Sequence, residues 1–214
     1  MLLFSCSDSL EVETSSTGEA FFPLDLDIAR IYTVEEIRYA ITGFDTLRYQ
    51  QRETIFDSTR AAGQEHYLMR VEQRENASDS WVSARLDLII KTDEYLAIQE
   101  DGQTIIKLIF PFNINDTWNG NALRNDFELT YYYQPVQFSR VDSISFSDQV
   151  RVIIEDIEAN PVNQDERSEI YAKGIGLVER DFTTLNFCTT GCNVVGEIES
   201  GRKLKQELIG IENE

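Results

Sequence analysis

The chain has 214 residues, a formal net charge of -19 and 42% hydrophobic residues. That length suits one large β domain or two small ones. The negative charge would repel nucleic-acid phosphates and anionic lipid headgroups, so we exclude nucleic acid as a partner. No apolar stretch approaches the roughly 18–20 residues that a membrane-spanning helix needs.

The first residues resemble a bacterial lipobox, in which a small residue directly precedes a cysteine. Here the motif is Leu-Phe-Ser-Cys, ending at Cys6. The signal peptidase requires a small side chain at the cleaved bond, and the cysteine sulfur carries the diacylglycerol. A complete signal also has a basic and an apolar segment, so we expect further residues before Met1. Residues 1–6 are therefore predicted to be the remnant of a lipoprotein signal, with Cys6 anchoring the protein to a membrane.

Residues 7–20 are polar, acidic and rich in Ser and Thr, and they contain no aromatic residue. Such a segment cannot bury enough surface to fold, which predicts a flexible tether. The acidic residues Asp8, Glu11 and Glu13 resemble the surface-export signal of lipoproteins in Bacteroidota. The predicted location is the cell envelope, as an outer-membrane lipoprotein that is either periplasmic or surface-exposed.

Alternation of apolar and polar residues runs through the rest of the chain and predicts strands. Turn signals at 42–45, 61–64 and 100–103 separate some of them, and 160–169 reads as a loop. The predicted strands are 30–41, 47–58, 66–75, 82–90, 94–100, 104–110, 129–140, 149–156, 169–180 and 202–210. The pattern indicates one all-β domain over 21–214, an antiparallel meandering sheet curled into a barrel, half-barrel or sandwich.

Two of these strands carry specific predictions about their faces. In 82–90 the buried face should hold the aliphatic residues, opposite Arg85 and Asp87. Those aliphatic residues are Val82, Ala84, Leu86, Leu88 and Ile90. The segment 169–180 is predicted as one continuous strand. Ala172, Gly174, Gly176 and Val178 would share one of its faces.

Three stretches together resemble a family of small, uncharacterised lipoproteins of Bacteroidota type. They are FFPLDLDIARIYTVEEIRY (21–39), FPFNINDTWNGNA (110–122) and YAKGIGLVERDF (171–182). The resemblance implies a surface or periplasmic lipoprotein with no assigned activity and no known functional residue. The family usually carries Gly and Trp where this chain has Asp27 and Arg30.

The sequence contains few residues in patterns typical of a catalytic site. His66 is the only histidine and has no nucleophile motif nearby, which argues against a Ser-His-Asp triad and against zinc. Carboxylates such as Asp25, Asp27 and Asp116 leave a glycoside hydrolase as a minor alternative. We predict that the protein is not an enzyme and has no catalytic residue and no cofactor.

The two remaining cysteines, Cys188 and Cys192, are separated by Thr-Thr-Gly. That spacing permits a tight reversal that brings the two α-carbons within the range of a disulfide. A redox-active pair normally has two intervening residues and a helix start, which are missing here. We therefore predict a structural disulfide that clips a loop.

The segment 112–126 is the predicted ligand loop, because it is rich in amide and carboxylate oxygens around a tryptophan. Its candidate residues are Asn113, Asn115, Asp116, Trp118, Asn119 and Asn121. Oxygen ligands at alternate positions could bind calcium, and an exposed tryptophan could stack on a sugar. The same composition also suits an ordinary wide turn with Trp118 in the core.

Together these observations predict a lipid-anchored, non-catalytic domain with a role in binding or in supporting an envelope assembly. Its partner could be a carbohydrate, an apolar ligand or an envelope protein, besides the membrane that Cys6 would reach. The leading alternative is a carrier that holds an apolar ligand inside a barrel, and the oligomeric state stays open.

Overall fold

A computed structural model describes residues 18–61, 63–100, 102–136, 140–141, 144–145, 148–192 and 194–213. Cys6 and most of the predicted tether, residues 7–17, lie outside these ranges. The last tether residues, 18–20, lead into a short 3-10 turn, Glu19–Phe21. Gly174 N–H donates to the Ala20 oxygen at 2.7 Å, so the chain is already in contact with the sheet at this point.

The described ranges contain fourteen strands, numbered here in chain order. They are β1 Ile28–Ala40, β2 Gly43–Ala61, β3 Gln64–Arg74, β4 Val82–Lys91, β5 Tyr95–Glu100, β6 Gln103–Ile109, β7 Thr117–Asn119, β8 Thr130–Pro135, β9 Arg140–Val141, β10 Ile144–Ser145, β11 Gln149–Ile157, β12 Asn163–Ala172, β13 Gly176–Phe187 and β14 Ile198–Asn213.

Twelve of the described strands form one sheet in the order β6-β5-β4-β3-β2-β1-β14-β13-β12-β11-β8-β7, and β9 pairs with β10. Every pairing is antiparallel. The large sheet curls until it is nearly closed into a barrel. The predicted all-β, antiparallel fold is therefore confirmed. None of the described residues forms a helix long and apolar enough to cross a membrane.

Several tight turns lie where the sequence placed them. Ala40 pairs with Gly43, Ala61 with Gln64 and Glu100 with Gln103, so a two-residue connection joins each pair of strands. Gly63 and Gly102 have φ values of 81° and 76°, which glycine adopts without steric cost.

Because successive strands run in opposite directions, the connections collect at two ends of the barrel. We call the end where residues 18–27 enter the proximal end. The distal end, opposite to it, carries the β1–β2 turn, the β3–β4 connection and the loops 120–129, 158–162 and 188–197.

The predicted buried face of β4 is wrong. Arg85, Asp87 and Ile89 face the barrel interior, and Leu86 is 62% exposed on the outside. Alternation shows that the two faces differ but does not show which one is inside. The Arg85 Nε–H donates to both Asp87 oxygens, at 3.0 and 2.9 Å, and this pairing offsets part of the cost of burying a charge.

The prediction of one strand over 169–180 is also wrong. A turn at 173–175 breaks it into the end of β12 and the start of β13. Gly174 and Gly176 have φ values of 75° and 100°, so they reverse the chain instead of continuing a strand. The predicted loop 160–169 is largely strand, because β12 begins at Asn163.

The core lines the barrel interior. Val150, Val152 and Ile154, which the sequence placed on one face, are buried, as are Leu204 and Leu208. The N-terminal segment covers this core from the proximal side with Phe21 and Phe22.

The family resemblance named two departures in this region, Asp27 and Arg30. Asp27 has a φ of 60°, a left-handed conformation that glycine adopts more easily. The Arg30 Nε–H donates to the Ile175 oxygen at 2.6 Å. Arg30 therefore ties β1 to the β12–β13 turn.

Candidate functional site

Trp118, the aromatic residue of the predicted ligand loop, is part of the barrel wall. Its ring is buried and packs against Tyr131 and Tyr133. The indole Nε1–H donates to the backbone oxygen of Ile106 at 2.9 Å. The Ile106 N–H in turn donates to the Gly120 oxygen at 2.9 Å. These bonds join β6 to the β7–β8 pair, and we call this junction the seam.

Tyr133 supplies the second link across the seam. Its hydroxyl accepts from the Ile109 N–H at 2.8 Å and donates to the Ile109 oxygen at 3.0 Å. A buried phenol thus takes the place of a neighbouring strand for this residue. Two aromatic side chains and the Ile106–Gly120 backbone bond thus link β6 to the β7–β8 pair.

Two amides of the predicted ligand loop hold backbone groups of the 120–129 turn. The Asn119 Oδ1 accepts from the N–H groups of Asn121 and Leu129, at 2.9 and 3.1 Å. The Asn121 Nδ2 donates to the Phe127 oxygen at 2.7 Å. These contacts account for the two amides as turn residues.

The other members of the predicted loop lie on the opposite side of β7. The Asn113 Nδ2 donates to Asp116 Oδ2 at 3.0 Å, and Asn115 has a φ of 71°, which asparagine tolerates. Three of the six candidates thus precede β7, two lie in it and Asn121 follows it. A calcium or sugar role for them stays a prediction.

The barrel interior holds a group of charges that the sequence did not predict. Glu169 is fully buried and accepts from Lys107 Nζ at 3.0 Å, Arg180 Nε at 2.8 Å and the Tyr171 hydroxyl at 2.6 Å. Glu100 lies 3.7 Å from Arg180. A lysine inside the apolar run TIIKLIF was the only signal in the sequence.

The electrostatics of this group favour paired ions. Burial raises the pKa of Glu169, but the charges of Lys107 and Arg180 outweigh it and lower the pKa to about 2. Burial would lower the pKa of Lys107, yet Glu100 and Glu169 leave it raised. The carboxylates therefore stay ionised at neutral pH and serve as partners for the cations.

A cavity next to this group is too small for an extended ligand. Tyr32, Glu53, Glu100, Tyr171 and Arg180 border it, and its volume is about 20 Å³. That space holds about one water molecule. This cavity is therefore far smaller than the space that a carrier of acyl chains would need.

The predicted carboxylates and the histidine do not meet. Asp25 and Asp27 are exposed at the proximal end, and Asp116 precedes β7. His66 is half-buried in β3, opposite Thr59 and Ile90. Among the described residues, no group of three His, Cys, Asp or Glu side chains is placed to hold a metal ion.

The disulfide predicted between Cys188 and Cys192 is present, with 6.2 Å between the α-carbons. Two backbone bonds support the same loop. The Cys188 N–H donates to the Glu197 oxygen, and the Gly196 N–H donates to the Cys188 oxygen, both at 2.9 Å. Covalent and hydrogen bonds together fix the path of the chain from β13 to β14.

Exposed apolar side chains are concentrated at the distal end. The five most exposed large apolar side chains in the described ranges all lie there. They are Phe127 at 89%, Ile41 at 84%, Val195 at 73%, Phe44 at 70% and Val82 at 67%. The three at the proximal end, Leu26, Ile114 and Ile211, are only 40–44% exposed. Exposed large apolar side chains that gather at one end of a domain suggest an interaction site.

A groove lies within this surface, between the β1–β2 turn and the disulfide loop. Its volume is about 520 Å³, within the range of ligand pockets. Tyr39, Ile41 and Phe44 line one side, and Cys188 and Cys192 line the other. We call it the distal groove. The sequence marked both of its walls, one as a turn and one as a clip, but not their proximity.

Comparisons with known proteins place the chain only loosely. No family model matches the sequence, and no curated protein matches it. One similar structure is a presumed exported protein with a YmcC-like fold from Bacteroides fragilis. It is 11% identical, with 90% of this chain and 99% of that chain covered and a TM-score of 0.47.

A second similar structure is a presumed lipoprotein from Parabacteroides distasonis. It is 9% identical, with 90% of this chain and 98% of that chain covered and a TM-score of 0.41. The first description names an exported protein and the second a lipoprotein. Both TM-scores are below 0.5, so the lipid anchor and the location of this chain stay predictions.

Proposed function

We propose that the chain is a non-catalytic, lipid-anchored domain of the cell envelope. In this proposal Cys6 carries the lipid, residues 7–17 form the tether, and the distal end of the barrel binds an envelope protein. The anchor would belong to the outer membrane, with the domain either periplasmic or surface-exposed.

The observation that carries this proposal is the position of the exposed apolar side chains. They collect at the end opposite to the entry of the N-terminal segment. A strand of 13 residues such as β1 is about 40 Å long. A lipid on the N-terminal side would therefore leave the distal end far from its own membrane and free to meet a partner.

The interior supports the non-catalytic part of the proposal. Its carboxylate Glu169 is already paired with Lys107 and Arg180, and the adjacent cavity has space for about one water. A hydrolase would instead need carboxylates that face a substrate-sized cleft. The packed interior likewise gives no support to the carrier alternative.

Photo-crosslinking in cells tests the binding role. A photoreactive amino acid is placed at Phe44 or Phe127 on the distal end, and at Ile114 or Ile211 on the proximal end as matched exposed controls. We expect discrete crosslinked products from the distal positions alone. Equal products from both ends, or products from the proximal end only, would contradict the proposal.

Metabolic labelling with a fatty-acid analogue tests the anchor. The native gene is expressed with Cys6→Ala, and a Cys188→Ser/Cys192→Ser variant, which keeps Cys6 but removes the two disulfide cysteines, serves as the control. Label should disappear in the first variant and persist in the second. Label retained after Cys6→Ala would end the anchoring proposal.

A further inference from the structure

The distal groove has a shape that exists before any partner binds. One wall is the β1–β2 hairpin, where Tyr39 pairs with Phe44 and the two rings lie 5.9 Å apart. The other wall is the loop clipped by Cys188 and Cys192. Because these walls are already ordered, binding a partner would cost them little conformational entropy, which favours binding.

The apolar part of the groove provides an anchor point. Phe44 and Ile41 are among the most exposed large apolar side chains of the described residues, and Ile198 lines the same groove. Aromatic residues at the centre of an interface often carry most of its binding energy. The groove can thus accept an apolar side chain from a partner against the Phe44 ring.

The charged part of the groove selects the sign of the partner. Glu197 and Glu199 line it, and its described lining contains no Lys or Arg. The whole chain carries a net charge of -19. Such a surface attracts cationic partners and repels anionic ones.

We infer that the distal groove binds an extended protein segment in which an apolar side chain is flanked by Lys or Arg. This inference rests on the proposed function, because it names the kind of partner that the distal end would take. A neutral glycan would gain nothing from the charge of Glu197 and Glu199, whereas a cationic segment would. The apolar residue would sit against Phe44 while the cations meet Glu197 and Glu199.

A peptide selection tests the inference. A phage-displayed library of random 12-residue peptides is selected on the oxidised protein, and the enriched peptides are synthesised for fluorescence anisotropy. We expect an enriched pattern of one apolar residue with neighbouring Lys or Arg. Phe44→Ser should weaken binding roughly tenfold or more. Glu197→Gln/Glu199→Gln should weaken it severalfold and reduce its dependence on salt.

Leu86→Ser is the control, because Leu86 is 62% exposed on the outer face of β4 and does not line the distal groove. Peptide binding should be unchanged in this variant. Each folded variant is confirmed by its circular dichroism and melting temperature, which surface changes should alter little. Peptides without basic residues, or binding that Phe44→Ser leaves unchanged, would overturn the inference. A glycan array that binds in a Phe44-dependent manner would also overturn it.

The two proposals fail in different ways. Distal crosslinks in cells without peptide binding in the groove would leave the proposed function standing and refute the basic segment. Cells that give no distal crosslinks would refute the proposed function, whatever peptides the groove binds in solution.

Discussion

Two loops that the sequence singled out have opposite roles in the structure. The amide-rich loop around Trp118 is drawn into the barrel wall and closes the seam between β6 and the β7–β8 pair. The loop held by Cys188 and Cys192 stays at the distal surface and borders a groove. The first was predicted to be a ligand site and the second a clip.

The difference shows what composition can reveal about a loop. Asn, Asp and Trp are suited to ligands, but the same atoms also satisfy backbone groups at a turn. In the seam loop, Asn119 and Asn121 bond to the backbone, and Trp118 supplies a donor to Ile106. Which use prevails depends on whether a strand edge needs partners nearby, and β6 has such an edge.

The largest expected effect is a loss of stability when the buried seam is altered, compared with a change at an exposed residue of the same loop. Trp118→Ala should lower the free energy of unfolding by about 3–5 kcal/mol, because it leaves a cavity and removes the donor to Ile106. Urea unfolding followed by circular dichroism measures the change. Asn113→Ala, in the same loop but exposed, should change the value by less than about 0.5 kcal/mol. A Trp118→Ala protein as stable as the parent would contradict the structural role of Trp118 at the seam.

The second largest expected effect is a pH dependence of stability that comes from Asp87, a residue of the barrel wall outside both loops. Burial raises the pKa of Asp87 to about 6, although Arg85 opposes the shift. The folded state therefore binds this proton more tightly than the unfolded state. Stability should fall as pH rises from about 4 to 6, by on the order of 2–3 kcal/mol from this group.

Unfolding measured across that pH range, in the parent and in Asp87→Asn, isolates the contribution. The variant should show a flatter slope between pH 4 and 6. Glu169 acts in the opposite direction, because its pKa is lowered from 4.5 to about 2, so its stabilisation is complete above about pH 5 and is lost as pH falls towards 2. Both proteins carry Glu169, so the difference between parent and Asp87→Asn cancels this contribution. Asp148→Asn, at an exposed site, is the control, and an unchanged slope in Asp87→Asn would contradict the assignment.

Much of the fold could be predicted from the sequence, because strands and turns depend on local residue patterns. The alternation in 149–156 correctly gave the buried face of β11, and the glycines at 63 and 102 marked real hairpins. The faces of β4 were predicted the wrong way round, since alternation is symmetric between inside and outside. In the structure, the pairing of Arg85 with Asp87 allows these two charges to occupy the inner face of β4.

The candidate sites were less readable because they depend on residues that are distant in sequence. The two walls of the distal groove are separated by more than 140 residues, and Lys107 meets Glu169 across 62. No local pattern encodes such a meeting. The disulfide was predictable for the opposite reason, since both cysteines lie within one tight reversal.

A smaller loss of stability tests the contribution of a single side-chain hydroxyl to the seam. Tyr133→Phe keeps the ring but removes the hydroxyl that bonds to the Ile109 N–H and oxygen. We expect a loss of about 1–3 kcal/mol, because buried backbone groups lose their partner. Hydrogen exchange should report faster exchange at the Ile109 amide. Tyr132→Phe, one residue away and less buried, is the control, and slow exchange at Ile109 in Tyr133→Phe would argue against this role.

The smallest effect concerns the disulfide loop, where the comparison predicts a change in shape but little change in stability. The bridge spans four positions, so the chain-entropy model gives at most roughly 2 kcal/mol. The Cys188–Glu197 and Gly196–Cys188 backbone bonds remain after reduction and should reduce the loss further. Cys188→Ser/Cys192→Ser should therefore keep the β-sheet circular dichroism spectrum and lower the melting temperature by only a few degrees.

In the same variant, amide chemical shifts should change around Tyr39 and Phe44, which face the loop across the groove. The shifts of Trp118 and Tyr133 at the seam should stay the same. Global unfolding of the variant, or shift changes that reach the seam, would show that the two loops are not independent.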